Sequence, residues 1–175
     1  MRVLWLAALA HASADYAVAS MRGAKASYNV SGSVSFEQGT DLGDMTVTFS
    51  MTGLTDGAHG FHVHQFGDTR VTDSLSTMSA HFVPFCLPPE VDDQGNKIGG
   101  CEDDQQHGYP PSVQRQPGDM GNISSFGGVA QSVLTLGQGK MSLKEAMRSI
   151  VGRVVVVHSN ADDGTQPCKL SWPHA

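Results

Sequence analysis

From position 45 the chain alternates without a break. Met45, Val47, Phe49 and Met51 fall on one side, and Thr46, Thr48, Ser50 and Thr52 on the other. Successive side chains of a strand point to opposite faces, so residues 45–54 predict a strand with one face in a core and one in water. The two methionines read as core filling. Residues 30–38 alternate through Val34 and Phe36, and residues 15–22 predict a first strand. Leu54-Thr55-Asp56-Gly57 is a turn. Residues 61–66 then alternate again, and this run carries His62 and His64. From Gly67 to about Gly118 no period is sustained, and loops of that length are functional or disordered. Strands resume over 121–126 and 129–136. Ser142-Leu143-Lys144-Glu145 has the form of a capping box, which predicts one short helix over 143–148. Val154, Val155, Val156 and Val157 make a continuous apolar run, as a buried strand requires. Residues 168–172 alternate and predict a short last strand. The order of strands and turns predicts an all-β fold, a Greek-key β-sandwich or flattened barrel of seven to eight antiparallel strands with one long loop.

Composition narrows the picture. A chain of 175 residues suits one domain with its own core, and 20 glycines agree with a turn-rich β fold. A formal net charge of -6 argues against a nucleic-acid partner. No apolar run approaches the length of a membrane span. Arg2, the apolar residues 3–10 and Ala12-Ser13-Ala14 have the form of a secretory signal with its cleavage site. The expectation is a signal peptide over 1–14, a domain over 15–175 and a secreted product. Cys86, Cys101 and Cys168 suit an oxidising compartment. Cys86 and Cys101 lie in one loop and are the favoured pair, which leaves Cys168 free or bonded to a second chain. Asn29-Val30-Ser31 and Asn122-Ile123-Ser124 have the form of glycosylation acceptors.

Candidate chemistry begins with His62 and His64. Side chains two apart on a strand share a face, with roughly 7 Å between their Cα atoms. The pair can grip one ion, and neutral imidazole suits copper and zinc. An isolated pair of this kind is a weak signal, common on surface strands. Its surroundings are more specific. The stretch Gly57-Ala58-His59-Gly60-Phe61-His62-Val63-His64-Gln65-Phe66-Gly67-Asp68 resembles the copper-binding signature of the copper/zinc superoxide dismutase family. Ala80-His81-Phe82 with Pro84, His107-Gly108, Gly118-Asp119-Met120-Gly121-Asn122, Ser149 to Arg153, Val157-His158 and Ala161-Asp162-Asp163 follow in the family's order. The resemblance begins near Tyr16 and runs through nearly all the rest of the chain.

That resemblance implies copper held by His62, His64, His81 and His158, with His81 also the proton carrier of the catalytic cycle. It implies zinc held by His81, His107, Asp119 and a histidine at position 116, where this chain has Gln116. An amide is a poor zinc ligand beside imidazole or carboxylate, so zinc is doubtful here. Asp162 matches the aspartate that ties a copper histidine to a zinc histidine, and His59 matches a structural histidine. Other departures follow Asp163. Where the family has a long charged loop and then an arginine above copper, only Gly164-Thr165-Gln166-Pro167-Cys168 follows. Either Thr165 stands in the arginine's place or the chain is truncated and its tail is unrelated sequence, and no arginine lies beyond Arg153. The family's disulfide partner is also missing, because the stretch from Asp68 to His81 holds no cysteine.

Two functions follow. One is an extracellular dismutase acting on superoxide. The other is a metal-binding or transport protein with weak or lost activity, similar to the dismutase-related proteins of bivalve haemolymph of the cavortin, dominin and pernin kind. The departures favour the second. Superoxide or metal ions are the expected partners, and family habit adds a homo-oligomer.

Overall fold

Nearly every alternating stretch becomes a strand. A computed structural model of the chain describes residues 14–24, 27–39, 42–68, 78, 80–84, 87–91, 97–100 and 115–163. Among them are β1 (Asp15–Arg22), β2 (Ser31–Gln38), β3 (Met45–Thr52), β4 (Gly57–Val63), β5 (Leu87–Val91), β6 (Lys97–Gly100), β7 (Asp119–Ser125), β8 (Val129–Leu136) and β9 (Val155–Val157). The chain is all-β, with two antiparallel sheets that fit a β-sandwich.

The first sheet has the order β1-β2-β3-β8. Its register places Val34 opposite Phe49 and Phe36 opposite Val47. The apolar positions of β2 and β3 therefore line one face, and Val34, Phe36, Met45, Val47, Phe49 and Met51 are all buried. The second sheet, β7-β4-β9, supplies Phe61, Val63, Met120 and Ile123 to the same core. Phe49 meets Phe61 between the sheets, with ring centroids 5.4 Å apart. Each such side chain contributes roughly 1.5–3 kcal/mol through burial. Gly127 and Gly128, with φ of 58° and 78°, turn the chain from β7 into β8. Both residues of so tight a reversal need positive φ, which only glycine adopts at no steric cost.

Two expectations need correction. The helix predicted over 143–148 is a single 3₁₀ turn, Ala146–Arg148. The cap itself forms, since the Ser142 hydroxyl accepts from the backbone N–H groups of Lys144 at 3.0 Å and Glu145 at 2.9 Å. The segment cannot extend because its ends are tied together: Ser142 N–H donates to Arg148 C=O, and Ile150 N–H donates to Ser142 C=O. The second correction is at β4, which ends at Val63, so His64 lies just beyond it in an isolated bridge to His81. In the long stretch without periodicity, β5 and β6 pair with each other as a separate two-stranded sheet. The leader over 1–14 lies, but for Ala14, outside the described residues, and so do Cys86, Cys101, Cys168, His107 and the strand expected over 168–172. No helix among the described residues is long and apolar enough to cross a membrane.

Candidate metal centre

Three backbone segments meet in a closed ring of hydrogen bonds. Val63 N–H donates to Gly118 C=O at 2.7 Å, Gly118 N–H to Phe82 C=O at 2.9 Å, and Phe82 N–H to Val63 C=O at 2.8 Å. Gly118 is required at this corner: a Cβ there would lie 2.4 Å from Val63 O and 2.7 Å from Phe82 N, both backbone atoms. Each member of the ring is a chain neighbour of a candidate ligand. Val63 separates His62 from His64, Phe82 follows His81, and Gly118 precedes Asp119. β9 is registered against β4 through Phe61 and Val157, and His158 N–H donates to Gly60 C=O at 2.9 Å. The fold thus delivers four histidines from three parts of the chain to one place.

One ring nitrogen from each of His62, His64, His81 and His158 lies within 4.8 Å of every other. Ring centroids are 4.0 Å apart for His62 and His81, 4.9 Å for His62 and His158, and 5.3 Å for His64 and His81. His62 and His64 are buried, while His81 and His158 are partly open to solvent. Four converging imidazoles, two of them reachable, form a donor set that suits copper. Gly60 leaves them room, since a Cβ there would stand 3.0 Å from His62 Cε1 and 3.3 Å from His158 Cδ2.

The rings are held from behind. Asp162 Oδ2 lies 2.9 Å from His62 Nε2, and Asp119 Oδ1 lies 3.7 Å from the same nitrogen. Nδ1 is therefore the nitrogen His62 offers to an ion. Carboxylate partners of this kind orient a ligating imidazole and raise its basicity. Asp162 is itself clamped by Asn122, whose side-chain amide donates to Asp162 C=O at 2.9 Å and accepts from Asp162 N–H at 2.7 Å. In sequence Asn122 is the end of a family match and has the form of a glycosylation acceptor, and its Nδ2 is committed to this clamp. His59, buried, has Nδ1 2.8 Å from His158 C=O and Nε2 2.8 Å from Thr55 C=O. It braces the backbone of a candidate ligand and does not join the cluster.

The far side of His81 is different. Its Nδ1 lies 2.9 Å from Gln116 Oε1, and Gln116 is 1% exposed. Asp119, also buried, accepts from Gly121 N–H through Oδ1 at 2.8 Å and donates its own N–H to Gln116 C=O at 2.9 Å. Arg153 stacks its guanidinium 3.8 Å above the Phe82 ring, and its Nε–H donates to Ser149 C=O at 2.7 Å. It also donates to Gln65 C=O. Desolvation pushes its pKa below the ordinary arginine value. Its hydrogen bond to Gln65 and its stack on Phe82 brace the segments that carry His64 and His81.

A family described as copper/zinc superoxide dismutase matches residues 30–172. The chain is 42% identical over 135 residues to superoxide dismutase [Cu-Zn] A of Xenopus laevis, a match that covers 77% of this chain and 74% of that protein. It is 37% identical over 149 residues to superoxide dismutase [Cu-Zn] of Yarrowia lipolytica, covering 84% and 80%. It is 38% identical over 130 residues to superoxide dismutase [Cu-Zn] of Drosophila tolteca, covering 74% and 95%.

Proposed function

This chain belongs to the copper/zinc superoxide dismutase family, and from that premise we propose that it is a secreted copper-binding protein whose superoxide turnover is slow. The observation that carries the reading is the convergence of one nitrogen each from His62, His64, His81 and His158 within 4.8 Å. Copper bound there supplies one-electron chemistry, in which one superoxide is oxidised to oxygen and another, with two protons, is reduced to hydrogen peroxide. The chain's own residues do the rest. Asp162 holds His62 in orientation, Asn122 holds Asp162, and the backbone ring through Val63, Phe82 and Gly118 holds the spacing. On this reading His81, which is partly open, carries a proton between solvent and the cluster.

Slow turnover follows from charge. Superoxide is an anion, and the chain carries a formal charge of -6. Arg153 is the last arginine in the sequence, and its donors are engaged by Ser149 and Gln65. Clefts that focus opposite charge raise encounter rates by about 10 to 1000-fold, and that gain is forgone here. Binding or carrying copper needs no such steering. The role outside the cell rests on the signal-like residues 1–14 and on the three cysteines.

The test is turnover per bound copper. Purified protein loaded with one equivalent of copper is assayed for superoxide removal beside a His81→Ala variant and an active relative. The expected rate per copper lies one to three orders of magnitude below the relative's. A rate within about tenfold of the relative's establishes the second reading, a working extracellular dismutase, which the 42% identity to the Xenopus laevis enzyme favours. Failure to take up copper removes both.

A further inference from the structure

The imidazole that the long loop contributes to the cluster, His81, has a second partner on its other side. Gln116 Oε1 lies 2.9 Å from His81 Nδ1, in a position 1% exposed. A side-chain amide oxygen only accepts, so His81 carries its proton on Nδ1 and presents the Nε2 lone pair elsewhere. The other nitrogen is thereby committed to the imidazole cluster.

Gln116 is not placed there by chance of rotamer. Its own C=O accepts from Asp119 N–H at 2.9 Å, closing a turn through Pro117 and Gly118. That turn is the corner of the backbone ring, bound to Val63 on one side and to Phe82 on the other. The element that carries Gln116 is therefore locked directly to the residue after His81. Its Nε2 is buried with no hydrogen-bond partner among the described residues. A buried amide left half satisfied costs about 1–3 kcal/mol. Retaining it here is intelligible if the oxygen does work that a hydrophobic residue cannot.

The family's description includes zinc as well as copper. A second ion beside His81 would have to displace both the Nδ1 proton and the Gln116 acceptor, and the neutral amide it would then face is a poor zinc ligand. The described residues fit one copper ion and do not fit zinc at His81. We propose that Gln116 is a positioning residue that takes over the orienting task of a second metal, holding His81 by a hydrogen bond so that the copper cluster is complete without zinc. This rests on the copper-binding reading above, and it adds which tautomer His81 adopts and what enforces it.

The experiment titrates copper(II) into the full chain and into Gln116→Leu, Gln116→Glu and Gln116→His variants, following the electron paramagnetic resonance spectrum and bound metal by elemental analysis. The wild type is expected to take one copper, and one equivalent of zinc then leaves its spectrum unchanged. Gln116→Leu, which removes the acceptor, is expected to weaken copper binding by about 10 to 100-fold and to alter the spectrum. Gln116→Glu keeps an acceptor oxygen and is expected to hold copper within about threefold of wild type. Gln116→His is expected to gain zinc, with a zinc-dependent change in the copper signal. A zinc-induced spectral change in the wild type overturns the proposal, and so does a Gln116→Leu variant that binds copper like wild type. Should Gln116→Leu fail to fold, as judged by circular dichroism, the wild-type zinc addition decides alone. Copper uptake with no dependence on Gln116 sinks only this inference, whereas no copper uptake by the wild type sinks the functional reading with it.

Discussion

The two sheets bury their residues for different reasons. In β3 the pattern is strictly alternating, with every buried position apolar and every second position at or near the surface. Hydrophobic partition explains that strand completely. In β4 five consecutive positions, 59–63, are buried, and His59 and His62 are among them. One face of β4 meets the core through Phe61 and Val63, and the other meets the imidazole cluster. Burying an imidazole is unfavourable unless its nitrogens find partners. The second sheet accepts that cost and meets it with carbonyls and carboxylates from Thr55, His158 and Asp162. The lesson is that stability and chemistry are divided between the sheets, and the division can be attacked experimentally.

The largest expected effect lies in the first sheet. Phe49→Ala should lower stability by about 3–5 kcal/mol in urea unfolding, with copper stoichiometry unchanged in the folded protein. Lost copper binding at full stability would break the division. Next is Gly118→Ala, which forces backbone atoms of Val63 and Phe82 to move. It should cost about 1–3 kcal/mol and should weaken copper as well, because the same ring spaces the ligands. An affinity equal to wild type would show that the ring is merely structural. Asp162→Ala should cost about 1–3 kcal/mol, because it leaves a buried His62 nitrogen without its carboxylate, and should weaken copper by about 10 to 100-fold in competition with a chelator. The smallest effect is at Glu145. The backbone N–H of Met147 is the main cause that holds its carboxyl below the ordinary range; desolvation, next in size, opposes it, and the backbone N–H, charge and side chain of Arg148 keep the net shift downward. The stability it contributes is therefore present at neutral pH and is lost as pH falls through that lowered value. A melting series for Glu145→Gln should converge on wild type only at the acid end, with copper affinity the same at neutral pH.

The division also marks what could be read beforehand. The first sheet was legible, since alternation alone predicts strands over 45–54 and 30–38, and β3 and β2 form within them. The four histidines were legible as a set only through the resemblance to a family, because periodicity joins His62 to His64 and says nothing of His81 or His158. The supporting groups were not legible. Asn122 offers no pattern to mark it as a clamp on Asp162, since the contact spans two distant segments. In sequence Gln116 is only a missing zinc ligand, and its bond to His81 is a property of the turn that holds it. The short helix failed because a good cap says where a helix can begin and nothing about the tertiary bonds that end it at Arg148.

The ring through Val63, Phe82 and Gly118 bears on how the chain reaches this state. Its three corners are far apart in sequence, so the ring is complete only when two long excursions of the chain have both closed. Closure of that kind charges its entropy before contacts repay it, which places the event late on the folding path and makes it slow. Uptake of copper during refolding should therefore lag behind the appearance of β-structure and report the moment the last excursion is drawn shut.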